Sequence, residues 1–401
     1  MRSSFVFSYG CDLIQINRRQ WLATAGLLVG TACRPRKGTG FPGYALISNA
    51  GDSSLAVVDL TEFRLAHALP LGSPASDIVA ARPGVTFVLT PGNGTVHAVD
   101  GSLRVATSRK FSDHLSALCL SPDRSVLLAT NPAARELLVI DATSLRLRSK
   151  HKLPAEPAEV AVPPPQLKGE APKPPYVAIS TGDNASAELI DYATGKSWHH
   201  EFSGPIGKLR FRADGQRLLV ANVHERCITA LTTPDLQTIV DLPLSMEPEN
   251  LCFNADQGQM FVTGPGMDAV AIIFPYNPLD VDQTVLAGRD PGVMACSENP
   301  SFLFVGSASG SDVCILSIDS RAVIGIVGAG QQPTYITVTP GSQYALVLSE
   351  SAGTMAVIHI PEVLSNFGNA AKKRNKITAG LFTLFPVGDR PLQATVVPRS
   401  A

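Results

Sequence analysis

Residues capable of acid–base chemistry recur in the short polar segments that separate the apolar runs of this chain. His114 lies in "FSDHLS" and Glu249 lies in "SMEPEN". A histidine and a carboxylate at one site could exchange protons with a lactone or an ester, which is general acid–base catalysis. These two residues are the candidate catalytic residues. No fixed spacing joins them, no triad is identifiable, and the chain has no G-x-S-x-G nucleophile motif.

Other polar side chains occupy similar segments and form a candidate binding set. Acids are in excess among them, so they could bind a ligand or hold a divalent cation through carboxylate oxygens. The same residue types also serve as solvated loop residues and turn formers, and both interpretations stay open. The binding set comprises Glu156, Glu247, Arg289, Asp290, Gln332, Arg390 and His224, and nearby turns add Asp52, Asp183, Glu225, Arg226, Asp268, Asp312 and Glu350.

The remaining metal-ligating residue types predict no metal site. His199 and His200 are adjacent, and neighbouring residues of a strand point to opposite faces, so they do not naturally share one ion. None of the seven cysteines is spaced C-x-x-C. Cys119, Cys252 and Cys296 lie inside apolar runs, which predicts buried free thiols that pack as small hydrophobic side chains.

A repeated unit positions all of these residues. An apolar strand, a short polar turn and a second strand recur, with successive starts about 40–43 residues apart except across one insertion. Two further short strands fill each interval, and four strands in this length are typical of a β-propeller blade. The copies begin at Tyr44, Val85, Ser125, Tyr176, Gln216, Gln259, Ser301 and Gln343.

The copies "LLVANVHERCITAL" and "LLATNPAARELLVIDATSLRL" resemble the YVTN-type repeat of bacterial surface and periplasmic propellers. The resemblance covers about residues 44–398 and implies a ring whose ligand sites lie at the mouth of a central channel. Related repeats occur in lactone hydrolases and in proteins without known activity. The resemblance therefore indicates the fold but does not distinguish between these functions. The chain has two tryptophans and no C-x-x-C-H motif, which disfavours an electron-transfer quinoprotein, and no cofactor is predicted.

The two ends of the repeat region predict how the ring closes. The four strands of a blade are labelled A to D, from the innermost strand to the outermost. The chain enters at Tyr44 on a B strand, and it ends in "LQATVV", where an A strand belongs. The last strand therefore supplies the missing A strand of the first blade and seals the ring. The predicted fold is all-β, an eight-bladed β-propeller, with seven blades as the alternative.

The first 33 residues have the pattern of an export signal. Two arginines precede an apolar stretch from Trp21 to Val29, and small residues follow. Arg18-Arg19 resembles the twin-arginine signal, and the residues before Cys33 resemble a lipoprotein cleavage box, from which Gly30 departs. The predicted domains are a signal over 1–33, a linker over 34–43 and a propeller over 44–401. The predicted location is the bacterial periplasm or cell envelope. Lipidation of Cys33 would tether the protein to a membrane.

Two insertions interrupt the repeat. Pro163 to Pro175, "PPPQLKGEAPKPP", favours an extended polyproline path, either as a partner-docking strip or as a surface excursion. Ile360 to Leu381 predicts a short helical segment and contains the basic cluster Lys372 to Lys376, which could face anionic lipid.

Charge and composition limit the partners. The formal net charge is -1, which argues against a nucleic-acid partner, because phosphate binding requires a basic excess. The leading hypothesis is an exported, non-catalytic propeller that binds a protein partner or a small ligand at the channel mouth. The alternative is a lactonase-like hydrolase that uses His114 and the carboxylates.

Overall fold

The fold consists of four-stranded antiparallel sheets, as a computed structural model shows. It describes residues 40–82, 84–166, 169–182, 185–276, 278–365 and 380–399. Within these residues, 32 strands form eight sheets of four strands each. The predictions of an all-β chain and of eight blades are therefore confirmed.

The first four blades contain the first fifteen strands of the chain together with its last strand. In chain order these strands are β1 (Gly43–Asn49), β2 (Ser54–Asp59), β3 (Arg64–Pro70), β4 (Ile78–Arg82), β5 (Val85–Thr90), β6 (Thr95–Asp100), β7 (Val105–Lys110), β8 (Ala117–Leu120), β9 (Val126–Asn131), β10 (Glu136–Asp141), β11 (Leu147–Lys152), β12 (Pro157–Ala161), β13 (Tyr176–Thr181), β14 (Ser186–Asp191) and β15 (Ser197–Glu201).

The second four blades continue in the same way. Their strands are β16 (Ile206–Phe211), β17 (Arg217–Asn222), β18 (Cys227–Thr232), β19 (Thr238–Pro243), β20 (Asn250–Phe253), β21 (Met260–Thr263), β22 (Ala269–Phe274), β23 (Asp280–Leu286), β24 (Pro291–Cys296), β25 (Phe302–Ser307), β26 (Asp312–Ser317), β27 (Ala322–Gly328), β28 (Tyr335–Val338), β29 (Tyr344–Ser349), β30 (Thr354–His359) and β31 (Leu381–Pro386), followed by β32 (Pro391–Pro398), which belongs to blade 1.

The strand order within the sheets makes the molecule a ring. Blade 1 is ordered β3-β2-β1-β32, and blades 2 to 8 follow along the chain from β4–β7 to β28–β31. The innermost strands contact one another in the order β32, β4, β8, β12, β16, β20, β24, β28 and back to β32. These eight A strands therefore surround a single axis, and their loops meet at its two ends.

The C-terminal strand closes the ring as predicted. β32 pairs antiparallel with β1, so that Tyr44 lies opposite Val397 and Leu46 opposite Thr395. Beyond the strand, the N–H of Arg399 donates to the carbonyl of Pro42 (3.0 Å). The inner edge of β1 is therefore paired with β32 and is not open to other chains.

The apolar core lies between blades. The middle strands are buried on both faces; β2 and β29, for example, are buried throughout. One cluster joins Ala45 and Val58 of blade 1 to Leu346 and Val357 of blade 8. Strands covered on both sides are apolar at successive positions, which explains the continuous apolar runs of the repeats.

The aspartate that ends many C strands has a local structural role. Asp59 accepts a hydrogen bond from the N–H of Thr61 (2.8 Å), and Asp100 accepts one from Ser102 (2.9 Å). Asp141 does the same for Thr143 (3.0 Å). Such Asx turns satisfy backbone donors where the chain reverses, so this recurring carboxylate stabilises the C–D turn.

Both insertions lie in the predicted connections. The proline-rich insertion joins β12 to β13, and the ammonium group of Lys173 donates to the carbonyls of Pro164 and Pro165 (both 3.0 Å). Residues 360–365 are helical between β30 and β31. The predicted basic cluster at 372–376 lies outside the described residues.

The predicted export signal over 1–33, with Cys33, also lies outside the described residues, as does most of the predicted linker over 34–43. A short 3-10 helix, Pro91–Asn93, connects β5 to β6. In the described part of the chain, no helix has the length and apolar character needed to span a membrane.

Removing Pro391–Ala401 should greatly lower the stability of the protein. β32 is eight residues long, and ladder hydrogen bonds contribute on the order of 1 kcal/mol each. Their loss is comparable with the whole stability of a domain, about 5–15 kcal/mol. Thermal melting should show a much lower midpoint for this truncation. A control that removes only Ser400–Ala401 should melt close to the full chain, and an unchanged midpoint in the long truncation would contradict closure by β32.

Candidate functional site

The predicted site residues that the structure describes lie on one face of the ring, which we call the mouth face and define by the D–A and B–C loops. In every blade, the backbone N–H at the start of the D–A loop donates to a carbonyl of the B–C loop. This repeated bridge holds the two kinds of loop side by side. The donor–acceptor pairs are Leu71–Ser53, Phe111–Gly94, Leu153–Arg135, Phe202–Ala185, Leu244–Arg226, Ala287–Asp268, Ala329–Ser311 and Val387–Gly353.

Several predicted binding residues are paired within this face. Arg226 Nη2 lies 2.8 Å from Glu247 Oε1. Arg390 donates through Nε and Nη2 to Glu350 Oε1, at 3.0 and 2.7 Å. Such exposed pairs contribute about 1 kcal/mol or less. They fix the positions of neighbouring loops and neutralise charges that a ligand could otherwise use.

Two further predicted residues contact neighbouring loop groups. The Gln332 amide donates to the carbonyl of Ala308, and the N–H of Asp290 donates to Asp268 Oδ1 (2.8 Å). His224 is exposed, and its ring lies against the backbone of Gly204. These contacts hold the loops in place.

The candidate catalytic residues are not brought together. His114 and Glu249 are both exposed, and they precede β8 and β20, which lie three blades apart around the ring. Glu156 and Arg289 are exposed on other loops of the face, and Asp183 lies outside the described residues. In the part of the chain that the structure describes, no cluster of three or more potential metal ligands occurs.

A second set of polar residues lies deeper, on the innermost strands, and we call it the channel set. Its members are half-buried and belong to eight different A strands or the loops that enter them. Contacts between blades join many of them into a chain around the axis. The channel set comprises Asp77, Cys119, Glu159, Lys208, Arg210, Cys252, Cys296, Tyr335 and Gln393.

Asp77 is the acidic group at the entry to β4. Its carboxylate Oδ2 accepts hydrogen bonds from the N–H of Leu118 in blade 3 (3.1 Å) and from the hydroxyl of Ser76 (3.4 Å). Burial raises its pKa to about 6, the charge of Glu159 adds to this, and Lys208 acts in the opposite direction. Asp77 is therefore a carboxyl group that titrates close to neutral pH.

The basic members of the channel set come from β16. Lys208 Nζ lies 2.8 Å from Glu159 Oε1 of blade 4. Arg210 donates from Nη1 to the carbonyl of Leu209 (2.9 Å), and among the described residues it forms no ion pair. Its positive charge acts to lower the pKa of the thiols of Cys119 in blade 3 and Cys252 in blade 6, which places it near the axis.

The junction of blades 8, 1 and 2 is also polar. Gln393 Oε1 accepts from the N–H of Ile78 (2.8 Å), and the hydroxyl of Tyr335 donates to the carbonyl of Ala394 (3.2 Å). Burial raises the pKa of Tyr335, although a hydrogen bond with Gln393 opposes it. The phenol therefore stays protonated near neutral pH and can act as a donor.

The channel set was not among the site residues predicted from the sequence, whose described members lie in loops except for Asp312, the first residue of β26. One signal was available in "IGKLRF", where Lys208 and Arg210 alternate with Leu209 and Phe211. Leu209 and Phe211 belong to the core between blades 4 and 5, so the charged residues point away from it. A charged residue at every second position of an innermost strand would have identified this part of the channel.

Comparisons with known proteins agree with the architecture. No protein-family model and no curated protein matches the chain. Among solved structures, it is similar to the dihydro-heme d1 dehydrogenase NirN in complex with DHE, with a TM-score of 0.70 and 14% identity over 92% of this chain and 78% of that chain. It is therefore similar to a solved propeller over most of its length.

Two other similar structures are more distant. A functionally unknown protein from Desulfotomaculum acetoxidans has a TM-score of 0.56 and 14% identity over 72% of this chain and 96% of that chain. Hydrazine synthase of Kuenenia stuttgartiensis has a TM-score of 0.50 and 13% identity over 68% and 86%. At these identities the likeness concerns the fold alone.

The Asp77→Asn substitution should raise the stability of the folded protein relative to the wild type more at neutral pH than at acidic pH. The folded state raises the pKa of Asp77 from 3.8 to about 6, so the wild type loses stability as the pH rises from about 4 through 6. The amide keeps an acceptor for Leu118. Urea denaturation should show the variant gaining about 2–3 kcal/mol relative to the wild type over this range.

Asp123→Asn is the matched control. Asp123 lies in the A–B turn, where burial raises its pKa but hydrogen bonds from Ser121 and Ser125 outweigh this and lower it. Its carboxylate therefore stabilises the folded state more as the pH rises, and the variant should lose relative stability in that direction. Parallel profiles for the two variants would contradict the environment assigned to Asp77.

Proposed function

We propose that this chain is an exported propeller of the YVTN type that binds a small organic anion at the axial channel and its mouth, without chemical turnover. Arg210 holds the anionic group. The ligand also carries hydroxyl or amino groups, which face the acidic side of the channel set. The proposal rests on one observation above all, the half-buried guanidinium group of Arg210 without an acidic partner among the described residues.

The state of Arg210 supports an anionic ligand on energetic grounds. A guanidinium has five N–H donors and remains charged at any relevant pH. Taking such a charge out of water is unfavourable unless a partner compensates it. One donor of Arg210 is used by the carbonyl of Leu209, and no carboxylate of the described residues lies within ion-pair distance. A carboxylate or phosphate in the channel would supply the missing partner, and bidentate contacts would orient it.

The other side of the channel set limits the ligand further. Asp77 and Glu159 are acidic, and Lys208 neutralises Glu159 at 2.8 Å. A ligand that was anionic throughout would be repelled by Asp77 when that residue is ionised. A ligand with hydroxyl or amino donors beside its anionic group fits both sides. Hydroxycarboxylates and amino acids have this chemistry.

Export is the second part of the proposal, and it rests on the sequence of the first 33 residues. The twin arginines, the short apolar stretch and the small residues before Cys33 are typical of a cleaved signal. A channel that binds small ligands outside the cytoplasm is consistent with such an address. Lipidation of Cys33 would tether the propeller to a membrane surface.

Arg210→Ala should weaken the binding of small anions. The probes are citrate, gluconate, glutamate and inorganic phosphate, titrated by calorimetry against the full chain. Hydrogen bonds to a charged group contribute about 1.5–3 kcal/mol, so affinity should fall by about 10–100-fold. Arg210→Lys should retain part of it, because charge remains without the planar fork.

Arg109→Ala is the matched control, because Arg109 is exposed on the outer strand β7. It should bind the probes as the wild type does. Equal binding by Arg210→Ala, or no binding of any probe by the wild type, would contradict the proposal. Turnover of sugar lactones that is lost in His114→Ala and Glu249→Ala would instead support the hydrolase alternative.

The export proposal predicts a processed N-terminus. When the full-length gene is expressed in its own host, mass spectrometry of the purified protein should show that residues before Cys33 have been removed. A diacylglycerol mass on Cys33 would establish the tether, whereas simple cleavage would establish a periplasmic protein. An intact Met1 in the cytoplasmic fraction would contradict export.

A further inference from the structure

Two thiols of the channel set are in direct contact. Cys252 lies in β20 of blade 6, and Cys296 is the last residue of β24 in blade 7. Their Sγ atoms are 3.7 Å apart, although 44 residues separate them in sequence. The two inner strands belong to different sheets, so no backbone ladder brings these sulfur atoms together. The contact is made by the packing of adjacent blades at the axis.

The surroundings of the pair activate one thiol. The hydrogen bond between the two sulfur atoms and the positive charge of Arg210 lower the pKa of Cys252, although burial opposes this. The same hydrogen bond, together with burial, raises the pKa of Cys296. A thiolate is the nucleophile in disulfide exchange, and a neighbouring thiol can then act as the resolving group. The arrangement thus provides both partners of an exchange reaction.

We propose that Cys252 and Cys296 form a reactive dithiol that exchanges with small-molecule disulfides and closes reversibly into a disulfide joining blades 6 and 7. This site goes beyond the binding of an anion by Arg210. The sulfur atoms are 3.7 Å apart, and a disulfide bond of about 2.05 Å requires an approach of less than ~2 Å.

The chemistry balances with a small disulfide as the oxidant. The Cys252 thiolate attacks one sulfur of R–S–S–R, forms a mixed disulfide and releases one thiolate, which takes up a proton. Cys296 then loses its proton, and its sulfur attacks the sulfur of Cys252, which forms the protein disulfide and releases the second R–S group as a thiol. Two protein thiols are oxidised, and one small disulfide is reduced to two thiols.

The other described cysteines lack this arrangement. Burial and the nearby charge of Asp77 raise the pKa of Cys119 to about 12, and burial raises that of Cys314 to about 11. Cys227 is buried, and burial also raises its pKa. Their thiolate fractions near neutral pH are correspondingly small. They serve as internal controls in one sample.

Differential alkylation of the full chain tests the proposal. The native protein is incubated with oxidised glutathione, free thiols are blocked with one maleimide, and the protein is then reduced and labelled with a second reagent of different mass. Cys252 and Cys296 should carry the second label together, whereas Cys119, Cys227 and Cys314 carry the first. Before reduction, a peptide pair linked through Cys252 and Cys296 should be found, lighter than the separate thiol peptides by two hydrogen atoms.

Single variants distinguish a dithiol from two independent thiols. In Cys296→Ser, Cys252 should accumulate as a stable mixed disulfide with glutathione, because the resolving thiol is missing. In Cys252→Ser, Cys296 should react with oxidised glutathione at least tenfold more slowly than Cys252 does in the wild type. Thermal melting checks that both variants are folded. Wild-type protein that keeps both thiols free under oxidised glutathione, or that holds separate mixed disulfides without the linked peptide, would overturn the proposal.

Discussion

The pairing of β32 with β1 is the interaction on which the rest of this structure depends. It joins residues more than three hundred positions apart and gives blade 1 its innermost strand. Without it, β1 would keep an unpaired edge, and the core that the first and last blades share would lose Ala394. With it, eight innermost strands surround one axis, and each contacts its two neighbours. Both proposed sites exist because the ring is complete.

The position of a strand within its blade determines what its side chains can do. B and C strands are covered on both sides by neighbouring blades, so they are apolar and serve as scaffold. D strands are largely exposed, as in β3. The innermost strands are half-buried, because the blades converge around the axis there. Polar groups such as Asp77, Arg210 and Cys252 are therefore tolerated on these strands, where they can meet partners from other blades or a ligand.

Desolvation gives these groups their chemistry. The same partial burial that raises the pKa of Asp77 to about 6 also raises the pKa of Tyr335, and Arg210 is half-buried beside them on the inner strands. Exposed ion pairs of the mouth face, such as Arg390 with Glu350, are solvated. Such pairs contribute little to the stability of the folded protein. We therefore expect the deeper groups to respond more strongly to a ligand, a proton or an oxidant than the loops around them.

The sequence predicted the architecture well, because its signals are local and repeated. The apolar runs, the turn residues and the count of strands lead to eight blades, and the unpaired entry at Tyr44 leads to the closing strand. The candidate site was less accessible. Lys208 and Arg210 alternate with core residues over a span too short to stand out, and the contact between Cys252 and Cys296 depends on blade packing, which no local pattern encodes. The roles assigned to mouth-face residues such as His114 and Glu249 remain predictions.

Native-state hydrogen exchange tests ring closure most directly. If β32 seals the ring, the amides of Tyr44–Ser48 and Leu392–Val397 that donate across the β1–β32 ladder should exchange only through the same cooperative opening. These ladder amides should show equal protection and equal dependence on denaturant, close to that of the middle strands, whereas the β32 amides that face the axis lie outside the ladder. Fast exchange of the ladder amides in either segment while β29 stays protected would contradict closure, and with it the ring on which both proposed sites depend.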